Sequence, residues 1–280
     1  MEQYYVQLLE LLNRADIPIP DLTSLALTPM WAVANAGTQC GMAFRFGKDH
    51  SVYGQQPPEA DYLQSLSPLV GQPLDRLAEA LMQRKELYSR AFCLAAMNAL
   101  SVPLNEPRRL AERGWITSEP AALPFLRPED KVVCVGYGYL IDQVLAVCPQ
   151  VHVSDMRPAS VMRSYVLDRS GQVSAEPERV IFHTAEENPG LLADADVVLF
   201  TGCTLVNGTW RKLLRWSEHA RIRGLFGPSA ALPPELIRNM GFNYLTTSTI
   251  ADGTQVAHTL RAPLTDPFAG SPAWRYSIIF

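Results

Sequence analysis

The chain of 280 residues carries 24 basic and 28 acidic side chains, which gives a formal net charge of −4 at pH 7. A slightly acidic chain lacks the basic surface that non-specific nucleic-acid binding requires, so we expect no nucleic-acid partner. Hydrophobic residues make up 48% and charged residues 19% of the sequence, which is the composition of a globular protein and not of a disordered one. At this length, two domains are the default expectation.

The cysteines and the hydropathy pattern predict a cytoplasmic protein. Five cysteines are widely spaced and include no Cys-x-x-Cys pair, so a disulfide framework or a zinc knuckle is not expected. The N-terminus has no secretory signal pattern. The longest uncharged run, Leu22 to Phe44, is interrupted by Pro29, Gly37 and Gly41, which predicts strands and a turn instead of a membrane helix.

The first third of the sequence predicts an α+β unit made of a helix, a β-hairpin and two further helices. The helices show leucines at helical spacing, and the hairpin shows two apolar runs around a glycine-containing turn. The predicted elements are a helix over residues 2–15, a hairpin of Met30–Asn35 and Gly41–Phe46, a helix opened by Pro73, and a helix over about Leu87–Leu100.

Residues 101–128 contain five prolines and little periodicity, which is typical of a linker because proline removes hydrogen-bond donors and restricts the preceding residue. We therefore place a domain boundary in this segment. The predicted domains are residues 1–115 and residues 116–280.

From Lys131 onward, short β-branched runs alternate with segments of helical spacing. The predicted strands are KVVCVG, VHVSD, RVIFH, DVVLFTG, RIRGLFG and FNYLTTS. This alternation predicts an α/β fold with a doubly wound parallel sheet that lies wholly after Lys131. Ligands of such sheets bind beyond the carboxyl ends of the strands, so the residues that follow each strand are the candidates for a site.

The first of these strands leads into a glycine turn. Gly136 and Gly138 resemble the start of a dinucleotide-binding loop, although a third glycine is absent. Asp155 follows Gly136 by 19 residues, near the position at which an acidic side chain holds ribose hydroxyls in sites for NAD and S-adenosylmethionine. An ordinary glycine turn and a strand-end aspartate explain the same pattern, and both interpretations stay open.

The segment DVVLFTGCTLVNGTW is the most distinctive in the chain. We expect the strand to end at Gly202 and a helix to begin near Gly208, so that the turn 201–209 binds an anion through free backbone N–H groups, Thr204, Asn207 and Thr209. Ordinary helix capping by Asn207 or Thr209 is the alternative.

Four further polar residues have a structural and a functional interpretation. Cys203 is a thiolate nucleophile, a metal ligand or a small buried residue, and without a paired base the last is favoured. Ser229 is either a ligand hydroxyl or a helix cap. His152 is interpreted as a strand side chain because it alternates with apolar Val151 and Val153, and the histidines show no ligand spacing for a zinc site. Asn98, on an apolar helix stripe, either ties down the linker or faces an interdomain cleft.

Three stretches resemble a family of unknown function for which heavy-metal chelation is suggested. They are LVGQPLDRLAEALMQRKELYSRAFCLAAMNAL, DADVVLFTGCTLVNGTW and GLFGPSAALPPELIRNMGFNYL. The resemblance covers about residues 25 to 255. It implies a domain similar to the enolase N-terminal domain followed by a Rossmann-like domain, with the functional site in the cleft between them and assembly as a homodimer.

The resemblance also implies which positions belong to that site: Asn98, Gly202, Thr204, Asn207, Thr209, Gly227, Pro228 and Ser229. Two positions depart from the family pattern. Cys203 stands where the family usually has serine, and the first glycine turn is the tyrosine-rich GYGY.

These observations leave three functional hypotheses. The first is a protein that binds a small anionic ligand or a metal chelate in the cleft, with a metallophore-related role. The second is an enzyme that uses S-adenosylmethionine or NAD at Gly136, Gly138 and Asp155. The third is a non-enzymatic accessory protein that delivers a metal. No clustered acid, base and nucleophile is visible, so the sequence does not decide whether the protein is an enzyme. If a metal is bound, we expect it to arrive already chelated.

Overall fold

The structure, a computed structural model, describes residues 1–47, 56–250, 253, 256 and 273–280. The helices are α1 (Glu2–Arg14), α2 (Glu59–Ser65), α3 (Leu74–Leu81), α4 (Leu87–Ser101), α5 (Pro107–Glu112), α6 (Ile141–Leu145), α7 (Asn188–Ala193), α8 (Cys203–Asn207), α9 (Trp210–Trp216) and α10 (Pro234–Asn239). The strands are β1 (Ser24–Leu27), β2 (Trp31–Ala36), β3 (Gln39–Phe44), β4 (Val132–Val135), β5 (Val151–Ser154), β6 (Ser164–Leu167), β7 (Val173–Glu176), β8 (Val180–His183), β9 (Val197–Thr201), β10 (Ile222–Phe226), β11 (Tyr244–Ile250) and β12 (Ala273–Ile279).

The predicted α/β class is confirmed, and most predicted elements are present. The helix at the N-terminus, the hairpin β2–β3, the helices α3 and α4 and the six strands after Lys131 all form where the pattern places them. Strands β1 and β12 and the β6–β7 hairpin were not predicted. Among the described residues, no helix is long and apolar enough to cross a membrane.

The prediction that the sheet lies wholly after Lys131 is wrong. The main sheet runs in the order β1-β2-β3-β11-β10-β9-β4-β5-β8, with β12 pairing beside β11. The hairpin joins it where Cys40 of β3 pairs with Ile250 at the end of β11, antiparallel. Because β11 is longer than β10, its last residues extend past that neighbour and meet the hairpin. The sheet is therefore mixed, with parallel and antiparallel strands. The division into two domains at residues 1–115 and 116–280 stays a prediction.

Six strands of this sheet are parallel, in the order β8-β5-β4-β9-β10-β11. The chain runs outward from β4 through β5 to β8, then returns to the other side of β4 and continues through β9, β10 and β11. The strand order thus reverses between β4 and β9. In open parallel sheets, this reversal is where ligands bind.

Alternate residues of the parallel strands enter two hydrophobic cores, as the pleat requires. Val133 and Phe200 belong to the larger core, which also contains α1, α3, α4 and α9. Val132 and Leu199 point to the smaller core, which α6 covers. The larger core joins the first hundred residues to the sheet, so the hairpin is held at a defined position relative to the strand ends.

The hairpin packs against α4 so closely that one position requires glycine. A Cβ atom on Gly41 would overlap the backbone at Ala95 O and Ala99 N. Strand β3 therefore lies directly on the helix backbone. This close contact positions the end of the hairpin, Phe44 and Phe46, above the strand ends of the sheet.

Candidate functional site

A cavity of about 350 Å³ lies at the reversal of strand order, between the hairpin and the ends of β4, β5 and β9. Its described lining comprises Met30, Phe44 and Phe46 from the hairpin region; Val135, Gly136, Tyr137, Ser154, Asp155, Met156, Arg157, Thr201, Cys203 and Thr204 from the strand ends; and Ala185, Asn188, Asn207, Thr209, Lys212, Leu213 and Trp216 from the segments that follow. The volume is at the lower end of the range of about 300–1,000 Å³ that small-molecule sites occupy.

The structure divides the predicted site residues into two groups. Those that line the cavity are Gly136, Asp155, Cys203, Thr204, Asn207 and Thr209. Those outside its described lining are Asn98, Gly138, Gly202, Gly227, Pro228 and Ser229. A ligand role for each of them stays a prediction.

Both glycines of the first turn are required by packing. Gly136 has a φ of +95°, and a Cβ there would lie 2.5 Å from Thr201 Cγ2. Gly138 has no such φ, but a Cβ there would lie 2.7 Å from Phe226 Cε2. The turn therefore fits against β9 and β10 with or without a ligand, and only Gly136 presents its backbone to the cavity.

Asp155 is fully engaged within the protein. Its Oδ1 accepts from the backbone N–H and Nε of Arg157 at 2.9 and 3.0 Å, and its Oδ2 accepts from Arg157 Nη2 at 2.8 Å and Tyr137 N–H at 2.9 Å. Burial raises the pKa of this carboxyl, but the hydrogen bonds from Arg157 and Tyr137 outweigh burial and lower the pKa below its usual value. Four donors occupy about all the acceptor positions of a carboxylate, so no position is left for ribose hydroxyls in this arrangement.

The segment 201–209 is not the open turn that the sequence predicted. Residues 203–207 form the short helix α8, Gly208 is left-handed with a φ of +77°, and α9 follows at Trp210. The Thr204 hydroxyl donates to Thr201 O at 2.8 Å, and Asn207 Oδ1 accepts from the N–H and hydroxyl of Thr209 at 3.1 and 2.7 Å. These hydrogen bonds stabilise the turn, and the same polar residues line one side of the cavity.

The thiol of Cys203 is protonated at neutral pH. Burial raises its pKa to about 11, although the Thr201 hydroxyl donates to Sγ at 3.3 Å. A thiol in this state is neither a ready nucleophile nor a ready metal ligand. The interpretation of Cys203 as a small, partly buried residue therefore agrees with its surroundings.

Asn98 and Ser229, which lie outside the described cavity lining, connect the hairpin to the sheet by hydrogen bonds. Asn98 Nδ2 donates to Met42 O at 2.8 Å and to Ser229 O at 3.3 Å, and the Ser229 hydroxyl accepts from Phe44 N–H at 2.9 Å. A Cβ on Gly202 would lie 2.8 Å from Ala230 N. Asn98 thus ties the hairpin to the turn at residues 228–230, a third outcome beside the two that its sequence position suggested.

Sequence reasoning missed several residues that give the cavity its character. Arg157 and Lys212 are the cations of its described lining, and Asn188 contributes a carboxamide that is 5% exposed. Met30 and Trp216 add apolar surface. Only the position of Arg157, directly beyond a predicted strand end, gave a signal in the sequence, because the other residues reach the cavity by tertiary packing.

The described residues do not form a site for a bare metal ion. No group of three or more His, Cys, Asp or Glu side chains suited to a metal occurs among them. In the described lining of the cavity, the one carboxylate, Asp155, is engaged by four donors and the one thiol is protonated. His152 bonds His183 between ring nitrogens at 2.9 Å, and neither histidine lines the cavity. These donors do not match what transition metals or Mg²⁺ require.

Two crystal structures of DUF364-family proteins of unknown function are similar to this chain in fold. The protein from Desulfitobacterium hafniense DCB-2 is 19% identical with a TM-score of 0.69, and the alignment covers 100% of this chain and 99% of that one. The protein from Pyrococcus horikoshii is 15% identical with a TM-score of 0.69, covering 99% and 98%. No curated protein matches the chain.

Two family models also match, and both carry the description "Putative heavy-metal chelation". The DUF4213 model matches residues 19–101, and the DUF364 model matches residues 122–271, more than half of the chain. The resemblance inferred from three sequence stretches is thereby confirmed. This chain belongs to the DUF364 family.

Proposed function

We propose that this protein binds a small anionic metal chelate in the cavity between the β2–β3 hairpin and the strand ends. The observation that carries the proposal is the composition of the described lining, which combines a net positive charge with the absence of a usable metal-ligand set. Arg157 and Lys212 contribute two positive charges, and Asp155 contributes one negative charge. Such a lining attracts an anion but offers little to a bare cation.

The metal is therefore cargo that arrives with its own ligands. The family description "Putative heavy-metal chelation" supports a role in metal handling without naming a ligand. A chelate brings the donor atoms that the described lining lacks, and its outward-facing carboxylate oxygens accept hydrogen bonds from the Lys212 ammonium. The homodimer and the cytoplasmic location implied above stay predictions.

A second candidate is an enzyme that uses S-adenosylmethionine or NAD. The order of the six parallel strands is that of a Rossmann-like domain, and Gly136 and Asp155 line the cavity at the expected corner. Against it stands the ion pair of Asp155 with Arg157, which would have to open before ribose could bind. The chelate is therefore the better-supported ligand.

The first proposal predicts that Lys212→Gln weakens the binding of ferric citrate and ferric 2,3-dihydroxybenzoate by about tenfold, the cost of losing one charged partner at an exposed position. Within the described part of the chain, no carboxylate pairs with the Lys212 ammonium, which lies 4.5 Å from the centre of the Trp216 ring. Equilibrium dialysis with iron quantified on both sides measures the affinities.

Arg215→Gln is the matched control, because Arg215 is a second exposed cation on the same helix but lies outside the described cavity lining. This control variant should bind like the parent protein. Equal losses in both variants, or no binding of either ferric complex, would refute the proposal. Calorimetric titration with S-adenosylmethionine and NAD should give no heat, and tight binding of either would favour the second candidate.

A further inference from the structure

We propose that the ligand of this cavity is a planar aromatic acid with one carboxylate and a ring hydroxyl, used free or as the chelating part of a metal complex. This inference rests on the proposed function and names the chemical class of the chelator. Three independent properties of the cavity carry it: an aromatic wall, a single excess positive charge, and a buried carboxamide oxygen without a partner.

The hairpin side of the cavity is an apolar aromatic wall. Phe44 and Phe46 meet edge to face with ring centres 5.1 Å apart, and Trp31 packs edge to face on Phe44 at 5.9 Å. Trp216 also lines the cavity, from α9. An aliphatic polycarboxylate would remove water from these rings without offering them apolar contacts, whereas a flat ring would fill the space and stack or meet them edge to face.

The opposite side is polar and carries one excess positive charge. The Arg157 guanidinium is matched by Asp155, so Lys212 supplies the charge that the described lining leaves unbalanced. A ligand that presents one carboxylate to this side balances it. A ligand that buries three carboxylates would place like charges together in a partly dehydrated space, which disfavours citrate-like molecules.

Asn188 supplies the third property. Asn188 lines the cavity, and among the described residues its buried Oδ1 has no hydrogen-bond partner. Buried acceptors are nearly always paired, so an orphaned one indicates a missing donor. The last torsion of asparagine is broad, so the carboxamide can turn its oxygen toward a ligand hydroxyl. A ring hydroxyl supplies that donor in the free acid, or in a metal complex where that hydroxyl does not ligate the metal and so keeps its proton.

Metal-free ligands test this class directly. We expect the parent protein to bind 2,3-dihydroxybenzoate about tenfold or more tightly than either benzoate, which lacks the hydroxyls, or citrate, which lacks the ring, since tenfold is about the effect of one net hydrogen bond. Asn188→Ala should abolish the preference over benzoate. Asn239→Ala, an exposed asparagine on α10, should leave it unchanged. Calorimetry measures each affinity, and thermal unfolding checks that each variant is folded.

The outcomes separate this inference from the proposed function. Citrate binding as tightly as 2,3-dihydroxybenzoate, or an unchanged preference in a folded Asn188→Ala protein, overturns the inference. If ferric citrate binds in a Lys212-dependent way while no aromatic acid binds, the proposed function stands and the inference fails. If 2,3-dihydroxybenzoate binds but neither ferric complex does, the inference stands and the proposed function fails. The comparison of ligands on the parent protein decides the inference even if the Asn188 variant does not fold.

Discussion

Replacing Gly41 by alanine is expected to destabilise the protein by at least about 3 kcal/mol, at or beyond the usual upper end for overpacking. The added methyl group would overlap Ala95 O and Ala99 N, which are backbone atoms of a helix and cannot move aside independently. The hairpin would have to lift from α4 and carry Phe44 away from the cavity. Urea unfolding followed by circular dichroism measures the loss.

Gly37→Ala is the matched control in the same hairpin. Gly37 has a φ of +65° and open space around a Cβ, so the substitution carries only the strain of a left-handed alanine, about 1–2 kcal/mol. If Gly41→Ala unfolds at no lower urea concentration than Gly37→Ala, the hairpin does not pack on α4 as described.

Arg157→Met is expected to destabilise the protein by about 1–3 kcal/mol at pH 7, because it leaves the Asp155 carboxylate with only its two backbone donors. The side chain of Asp155 is 8% exposed and that of Arg157 33%, so the loss falls below that for a fully buried pair. The pKa of Asp155 is lowered in the folded protein, so its ionised form stabilises the fold above the ordinary carboxyl value of 3.8. This stabilisation is lost progressively as the pH falls from that value through the lowered pKa of Asp155 in the folded protein.

The difference in stability between the parent protein and Arg157→Met should therefore be largest near neutral pH and decrease as the pH falls below 3.8. Thermal unfolding from pH 3 to pH 7 measures it. Arg169→Met, at an exposed position in the β6–β7 connection, should show no such pH dependence. A difference that stays constant with pH would mean that the pair does not lower the pKa of Asp155.

Local patterns were sufficient to predict most of the elements. The β-branched runs after Lys131 form the parallel strands because their residues enter cores on both faces of the sheet. The hairpin was predicted equally well, since two apolar runs on either side of Gly37 are compatible with few other conformations. The local sequence pattern did not predict that the hairpin joins the main sheet. Its place there depends on contacts between residues far apart in the sequence, such as the pairing of Cys40 with Ile250, which lie 210 positions apart.

The candidate site was predictable in outline and not in chemistry. Glycines and polar residues at strand ends marked the correct edge of the sheet, as parallel-sheet topology requires. The sequence pattern did not predict that Asp155 pairs with Arg157, because an arginine at this position is equally compatible with an exposed loop. Asn188 and Lys212 carry no motif, and tertiary packing alone brings them to the cavity.

The most direct test of the proposed chelate site is a crystal structure of the protein grown with ferric 2,3-dihydroxybenzoate, with anomalous data collected at the iron edge. The account predicts an iron peak inside the cavity between Phe44 and the ends of β4 and β9, with the ligand carboxylate within hydrogen-bonding reach of Lys212. An empty cavity at a saturating ligand concentration, or an iron peak at the His152–His183 pair outside the cavity, would contradict it.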